Sequence, residues 1–179
     1  MRGSASQPPP RSDRFIVDDS PSRYHAIPRL AEVPVGLAIT DPRVSTAVAA
    51  AGVTKTIALA PDDLAVRADM KDRGMSIGFT SELTLRRGVA DLPILTSVMM
   101  NLIPAKSSKG WTPYVGPLPR GLRTTDTKDD VIARLGEPQS LSADFFSAGW
   151  LVDGLDLGVT FTSDWTKIRQ LGLSLPGSL

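Results

Sequence analysis

The chain has 179 residues, enough for one ordinary domain or two small ones that share a core, and its apolar fraction of 41% can fill such a core. It contains no cysteine and one histidine, which excludes disulfides and thiol nucleophiles and leaves few metal ligands. Twenty Lys and Arg residues against nineteen Asp and Glu give a net charge of +1, too little to attract nucleic acid or an anionic membrane. We therefore expect no metal, no cofactor, and neither a nucleic-acid nor a membrane partner.

No segment of the sequence predicts membrane insertion or export. The longest apolar stretch, residues 92–105, is interrupted by Thr96, Ser97 and Asn101 and is shorter than the roughly 20 apolar residues of a spanning helix. The N-terminal residues include basic side chains but no following apolar run of the kind that a signal peptide has. We expect a cytoplasmic protein.

The first 23 residues are rich in proline and polar side chains, a composition that cannot bury enough apolar surface to offset the loss of conformational entropy. We predict a mobile tail over residues 1–23. From residue 24 to residue 39 the sequence is more apolar but is interrupted by Pro28 and Pro34, which favours extended segments over a helix.

The first helix is predicted to begin at Asp41-Pro42, an N-cap followed by a proline at the first helical position, and to stop at Gly52. Residues 54–60 are largely apolar and are assigned no element, and residues 63–70 fit a strand or a short helix. Alternation of apolar and polar residues predicts strands over 74–80 and 94–102. Together, residues 24–103 form the first helix-plus-sheet unit that we expect.

Residues 104–122 hold four prolines and three glycines in one stretch, which marks a joint between two halves. The second unit, residues 123–179, repeats the order of the first. Thr127 with Asp130 predicts a capped helix that ends at Gly136. Strands follow at 145–152, 155–161 and 168–175, with Asp153-Gly154 as a two-residue hairpin turn.

One seven-residue pattern occurs in both halves: GMSIGFT at residues 74–80 and GLDLGVT at residues 154–160. These texts lack the strand, Gly-x-Gly-x-x-Gly turn and helix that a phosphate loop needs, so strand glycines beside a partner surface or a bulge are the better interpretation. We interpret the segments as equivalent strands of a duplicated unit, which directs the search for function to the loops between them. The predicted fold is α+β, with two tandem helix-plus-antiparallel-sheet units that share or extend one sheet.

The second half resembles a family of bacterial immunity proteins for polymorphic toxins. The residues that carry the likeness are a tyrosine, a Gly-x-Leu-Pro-x-Gly-Leu segment, a helix that ends in Leu-Gly-x-Pro, and a hairpin with a tryptophan: Tyr114, Gly116, Leu118, Pro119, Gly121, Leu122, Leu135, Gly136, Pro138, Trp150 and the Asp153-Gly154 turn. The arrangement also resembles the beta-lactamase-inhibitor-protein fold and small lipoproteins of outer-membrane assembly. The histidine expected in the last hairpin of the family is replaced near Gly158.

The resemblance implies a protein that is not an enzyme. Such a protein binds a cognate toxin in a 1:1 complex, blocks its active site or substrate path, and protects the cell that makes both, in competition between bacteria that use a type VI-like secretion system. The alternative is a non-enzymatic cytosolic scaffold or adaptor of a secretion or envelope machine. The neighbouring gene distinguishes the two, because a large secreted protein with a C-terminal toxin domain favours immunity.

Candidate partner-binding residues lie in the loops, since exposed aromatic and arginine side chains dominate protein interfaces. They are Trp165, Trp111, Tyr114, Arg120, Arg123 and Asp164. For Trp165 a contact residue and a local cap over the sheet edge are equally good interpretations, and Trp150 is predicted in the core. Trp111 and Tyr114 are expected to pack in the joint, and an exposed edge that contacts a partner is the alternative. Arg86-Arg87 belong to the same scattered basic set, for which solvated charge is the alternative.

Catalytic alternatives are weaker. The pairs Asp18-Asp19, Asp62-Asp63 and Asp129-Asp130 offer carboxylates for acid–base work, but each lies in a turn or at the start of a helix, where Asp is expected for capping. His25, the one histidine, has no nucleophile at a suitable spacing. We expect no catalytic residues.

Overall fold

The computed structural model describes residues 34–53, 56–59, 64–81 and 92–177. Several predictions lie outside these residues: the tail 1–23, the extended segment up to residue 33, and the side chains of Asp18, Asp19, His25, Asp62, Asp63, Arg86 and Arg87. Within the described residues, no helix is long and apolar enough to cross a membrane.

The first helix, α1 (Pro42–Ala50), begins and ends where the sequence predicts. The Asp41 carboxylate accepts a hydrogen bond from the Arg43 backbone N–H at 2.8 Å, and Gly52 follows the helix with a φ of 79°. The guanidinium of Arg73 donates to the Ala50 carbonyl at 2.8 Å, so a cation satisfies the C-terminal end of the helix. This contact joins α1 to the 3₁₀ turn Lys71–Arg73.

The strands of the described residues form one seven-stranded antiparallel sheet in the order β1-β2-β3-β7-β6-β5-β4. Their bounds are β1 Ala65–Met70, β2 Met75–Ser81, β3 Pro93–Asn101, β4 Ser140–Ser142, β5 Ser147–Val152, β6 Leu155–Phe161 and β7 Ile168–Ser174. The first strand of each half, β1 and β4, lies at an edge of the sheet. The last strands of the two halves, β3 and β7, pair in the middle through five residue pairs. Asp153 and Gly154, with φ values of 53° and 78°, form the predicted hairpin turn between β5 and β6.

The second helix, α2 (Lys128–Leu135), has the predicted capping box: Thr127 and Asp130 exchange side-chain and backbone hydrogen bonds. Its end is fixed to the sheet, because the Trp150 indole N–H donates to the Gly136 carbonyl at 2.8 Å. Trp150 is in the core, as predicted.

One hydrophobic core lies on one face of the sheet. It contains the alternate side chains of the strands, such as Leu157 and Val159 of β6, together with Val44 and Val48 of α1 and Val131 of α2. Side chains of the opposite parity do not belong to this cluster. Within the described residues the helices therefore lie on one face, and neither of them covers the other face, called the open face below.

The α+β class is confirmed, but the described residues do not form two tandem units. The strands belong to one sheet, in agreement with the predicted shared or extended sheet, but one core cluster contains side chains from both halves of the chain, and the helices are few. The continuous β3–β7 ladder leaves no boundary between halves. Residues 56–59, to which no element was assigned, form neither a helix nor a strand, and the short edge strand β4 was not predicted.

Candidate binding surface on the open face of the sheet

Three glycines lie side by side on neighbouring strands of the open face. Gly149 of β5 pairs with Gly158 of β6, and Gly158 pairs with Gly172 of β7. The same cross-strand row continues to Met99 on β3 at one end and to Ser140 on β4 at the other. A row without side chains across three strands makes a depression in the sheet, which we call the glycine trough.

Polar side chains form the two walls of the glycine trough, one row on each side of the glycines. One wall consists of Asp156, Ser174 and Ser97, and the other of Ser147, Thr160 and Gln170. These residues and the glycines line a cavity of about 460 Å³. Its size falls in the range of about 300–1,000 Å³ that is typical of ligand sites.

Two of the three trough glycines are not required by the described part of the chain, whereas a Cβ atom added at the third, Gly149, would lie 2.6 Å from the Ser140 hydroxyl oxygen. A Cβ atom added at Gly158 would meet no atom within 4 Å, and one added at Gly172 would come no closer than 4.0 Å to the Val98 carbonyl oxygen. Neither residue has a positive φ. Glycine in the interior of a strand lowers stability by about 0.5–1 kcal/mol relative to alanine. A close approach of a ligand or of another backbone is one physical reason for glycine at such positions.

One carboxylate gives the trough its charge. Asp156 is the only ionisable residue among those that line the cavity, and it is half-buried. No Lys or Arg of the described residues lies within ion-pairing distance of it, whereas Asp69 and Asp153 are paired with Arg67 and Arg120. The trough therefore has a net negative charge that the described chain does not neutralise.

Trp165, the first predicted contact residue, packs locally. Its ring lies 5.6 Å from that of Phe146 and 5.4 Å from that of Phe161, and the Lys128 ammonium lies 5.3 Å from the indole centroid. The backbone of Trp165 has a φ of 62° and its carbonyl accepts from the Lys128 N–H. Of the two interpretations of Trp165, the structure agrees with the local cap.

The segment that follows the joint, residues 123–126, runs close to the turn between β6 and β7, so Arg123 and Asp164 lie at the same end of the sheet. The Ile168 N–H donates to the Thr124 carbonyl at 3.0 Å and fixes this approach. Asp164 accepts from the Thr162 hydroxyl and from the Thr166 N–H, and these hydrogen bonds, with Thr162 the strongest, lower the pKa of Asp164 to about 2. The Asp164 carboxylate is exposed and is held within the turn by these hydrogen bonds.

Arg120 makes an ion pair at another turn of the sheet. It pairs with Asp153 in the β5–β6 turn, at the opposite end of β6 from Asp164. Arg120 itself has a φ of 56° within the 3₁₀ turn Pro119–Gly121. The Arg120 guanidinium is therefore already paired with a carboxylate of the described chain.

Tyr114 lies in the core, which agrees with the interpretation that it packs in the joint and leaves little of it to contact a partner. Only 8% of the residue is exposed, its N–H donates to the Asn101 carbonyl, and its hydroxyl donates to the Pro117 carbonyl at 3.2 Å. Burial raises the pKa of Tyr114 to about 12. Trp111 is half-buried near the 3₁₀ turn Lys71–Arg73, since the neighbouring Thr112 donates twice to the Lys71 carbonyl.

Two features of the surface were missed from the sequence. The first is the glycine trough, although each glycine has an apolar neighbour on both sides in the texts AGW, LGV and LGL. Those triplets place each glycine on the face opposite to the core, but only the strand register makes them neighbours. The second is Phe145, which is 76% exposed in the turn before β5 and adjoins Phe146 under Trp165.

The described residues contain no group of three or more His, Asp or Glu side chains that could hold a metal ion. The arrangement is instead a concave, polar-walled surface suited to binding. No protein-family model, curated protein or solved structure matches this chain.

Proposed function

We propose that this protein is an immunity protein, which binds a cognate secreted bacterial toxin and blocks its active site or substrate path. The observation that carries the proposal is the glycine trough: a concave sheet face whose central row has no side chains, although Gly158 and Gly172 have space for them. Such a surface suits a partner that comes into direct contact with the sheet backbone. The protein then acts by occupying a site on the toxin and performs no chemistry of its own.

The resemblance to immunity proteins supports the same proposal through the scaffold. The Leu-Pro-x-Gly-Leu text ends at Leu122, which is buried in the core. The Leu-Gly-x-Pro text ends α2, where the Gly136 carbonyl accepts the Trp150 indole N–H. Both texts thus hold the joint and α2 against the covered face, and they give the sheet a fixed shape on which a partner surface can be built.

The loops at one end of the sheet supply a second contact region. Phe145 is exposed next to Phe146, which packs on Trp165, and Arg123 and Asp164 are exposed as well, with Asp164 in the turn between β6 and β7. Phenylalanine and arginine side chains of this kind are common energetic centres of interfaces. We assign these residues to the rim of the toxin interface, in a 1:1 complex formed in the cytoplasm.

The second candidate is a scaffold or adaptor of a secretion or envelope machine. The same trough would then hold a structural partner in place of a toxin. This candidate differs from immunity only in the identity of the partner. The neighbouring gene and the co-expression experiment below distinguish the two candidates, and the fold does not.

Co-expression tests the proposal. A secreted protein with a C-terminal toxin domain that is encoded beside this gene should stop the growth of a bacterial host, and co-expression of the full chain should restore growth. Purification of the chain with a catalytically inactive form of that toxin should give a 1:1 complex. Failure to restore growth while the folded chain accumulates contradicts immunity. The scaffold is supported if the purified chain instead forms a complex with a structural component of a secretion machine.

A further inference from the structure

The shape and charge of the glycine trough define the chemistry of its occupant. This inference rests on the proposed function and makes it more specific. We propose that the trough receives an extended loop of the partner protein, which lies across β5, β6 and β7 and presents a Lys or Arg side chain to Asp156.

The dimensions of the trough match a short extended segment. Neighbouring strands lie about 4.8 Å apart, so the row Gly149, Gly158 and Gly172 spans about 10 Å, which equals about three extended residues at roughly 3.3 Å each. The sheet N–H and C=O groups beneath the loop are used in the β ladders. The groups that can bond to the backbone of the loop are therefore the wall side chains, which carry hydroxyl and amide groups.

The walls provide both donors and acceptors for such a backbone. Ser147 and Thr160 offer hydroxyls on one side, and Ser97 and Ser174 on the other. Gln170 is held in place, since its amide nitrogen donates to the Asn101 side-chain oxygen at 3.1 Å. A hydroxyl can donate or accept, so either orientation of a peptide group finds a partner.

The charge of the trough selects a cation. Asp156 is half-buried, faces the cavity and has no cationic partner in the described chain. A Lys or Arg side chain from the partner would neutralise it and form a charge-assisted hydrogen bond. An acidic peptide or a nucleic acid would instead bring negative charge against an unpaired carboxylate, which disfavours both.

The complex with the toxin provides the main test. Gly158→Val fills the floor of the trough and Asp156→Asn removes its charge, and each should weaken binding roughly ten- to hundredfold, as expected for the loss of a hydrogen-bonded charge or of close contact. Asp156→Lys should weaken binding further. Asp69→Asn is the matched control: this carboxylate lies on the same cross-strand row beyond Met99 and should leave the affinity unchanged.

Folding is checked by the thermal unfolding of each variant, and Gly158→Ala is the milder alternative if the valine variant unfolds. Retention of the wild-type affinity by folded Gly158→Val and Asp156→Asn, with toxin neutralisation intact, overturns the trough proposal and leaves the proposed function standing. Concentration-dependent dimerisation of the chain that Gly158→Val abolishes also overturns it, because a second copy is then the occupant.

A second measurement does not depend on the toxin. The full chain, labelled with ¹⁵N, is titrated with the peptide acetyl-Gly-Gly-Arg-Gly-Gly-amide and with the same peptide carrying Glu in place of Arg. The Arg peptide should shift the amide signals of Gly149, Gly158 and Gly172, the Glu peptide should not, and Asp156→Asn should remove the effect. Equal shifts with both peptides, or no shift at these glycines with either, contradicts the proposal even if the toxin is neutralised.

Discussion

Residues 74–80 and 154–160 have the same sequence of residue classes and occupy corresponding places in their hairpins, yet their glycines serve different purposes. Gly74 and Gly154 both precede a strand with positive φ values of 67° and 78°. A Cβ atom at Gly74 would lie 2.4 Å from the Tyr114 backbone nitrogen, whereas one at Gly154 would meet nothing within 4 Å. The first glycine is required for packing against the joint, and the second only for its turn.

The central glycines of the two segments differ in the same way. Gly78 lies at a register shift between β2 and β3, where an added Cβ would come within 2.4 Å of the Ser97 hydroxyl. Gly158 has open space above it and a glycine on each neighbouring strand. A bulge and a partner surface were the two interpretations of these strand glycines: Gly78 matches the bulge, and Gly158 lies where we propose the partner surface. The comparison shows that one sequence pattern can mark a packing constraint in one strand and unfilled space in another.

The largest effects should be the same for both segments, because both place an apolar residue in the core. Ile77→Ala and Leu157→Ala each remove a buried side chain and should lower the free energy of unfolding by about 2–5 kcal/mol. Urea unfolding followed by tryptophan fluorescence measures this. A cost below about 1 kcal/mol for only one of them would show that the core does not extend equally under both strands.

The turn glycines should separate the segments. Gly74→Ala forces a Cβ against the backbone of the joint in a left-handed conformation, and it should cost about 3 kcal/mol or more. Gly154→Ala should lower the free energy of unfolding by about 1 kcal/mol, because alanine is disfavoured in the left-handed conformation of this residue. The same unfolding experiment compares them, and equal costs would contradict the close packing of the joint on Gly74.

The central glycines should differ in sign. Gly158→Ala should raise the free energy of unfolding by about 0.5–1 kcal/mol, because the strand accepts a side chain there, while it weakens partner binding. Gly78→Ala should lower it by about 1–3 kcal/mol through the contact with Ser97. The double variant Gly78→Ala, Ser97→Ala is the control and should recover most of the loss. Destabilisation by Gly158→Ala would mean that the trough glycine serves the fold.

At alkaline pH the region around the first segment should weaken. Burial raises the pKa of Tyr114 from its ordinary value of 10 to about 12, so the neutral phenol is favoured in the folded state. Its contribution is fully present below pH 10 and is lost as the pH rises through 12. The urea midpoint should fall over that window in the wild type, and Tyr114→Phe should remove this component. An unchanged alkaline profile in Tyr114→Phe contradicts burial of the phenol.

At acid pH the turn after the second segment should weaken, with the smallest effect because Asp164 is exposed. Hydrogen bonds from Thr162 and Thr166 lower its pKa from 3.8 to about 2. The stabilisation is present above pH 3.8 and is lost as the pH falls through 2. Asp164→Asn should flatten the urea midpoint between those values relative to the wild type. If the two profiles coincide, the turn hydrogen bonds do not contribute to stability.

The amino-acid sequence determined the local structure, because the relevant interactions lie within a few residues. Asp41 and Thr127 cap helices through neighbouring N–H groups, and the Asp153-Gly154 turn follows from the conformations that these two residues adopt readily. The α+β class and the core position of Trp150 could be predicted for the same reason: alternation along a strand decides which side chains share a face.

The tertiary structure alone decided how these elements combine. Strand register set Gly149, Gly158 and Gly172 side by side, and register is a long-range property that no single strand contains. It also paired β3 with β7, so that the expected shared sheet has no boundary between two units, and the tertiary packing buried Tyr114 of the joint. The candidate site could not be found from the sequence, because its floor consists of residues 149, 158 and 172, and only the pairing of three strands makes them a surface.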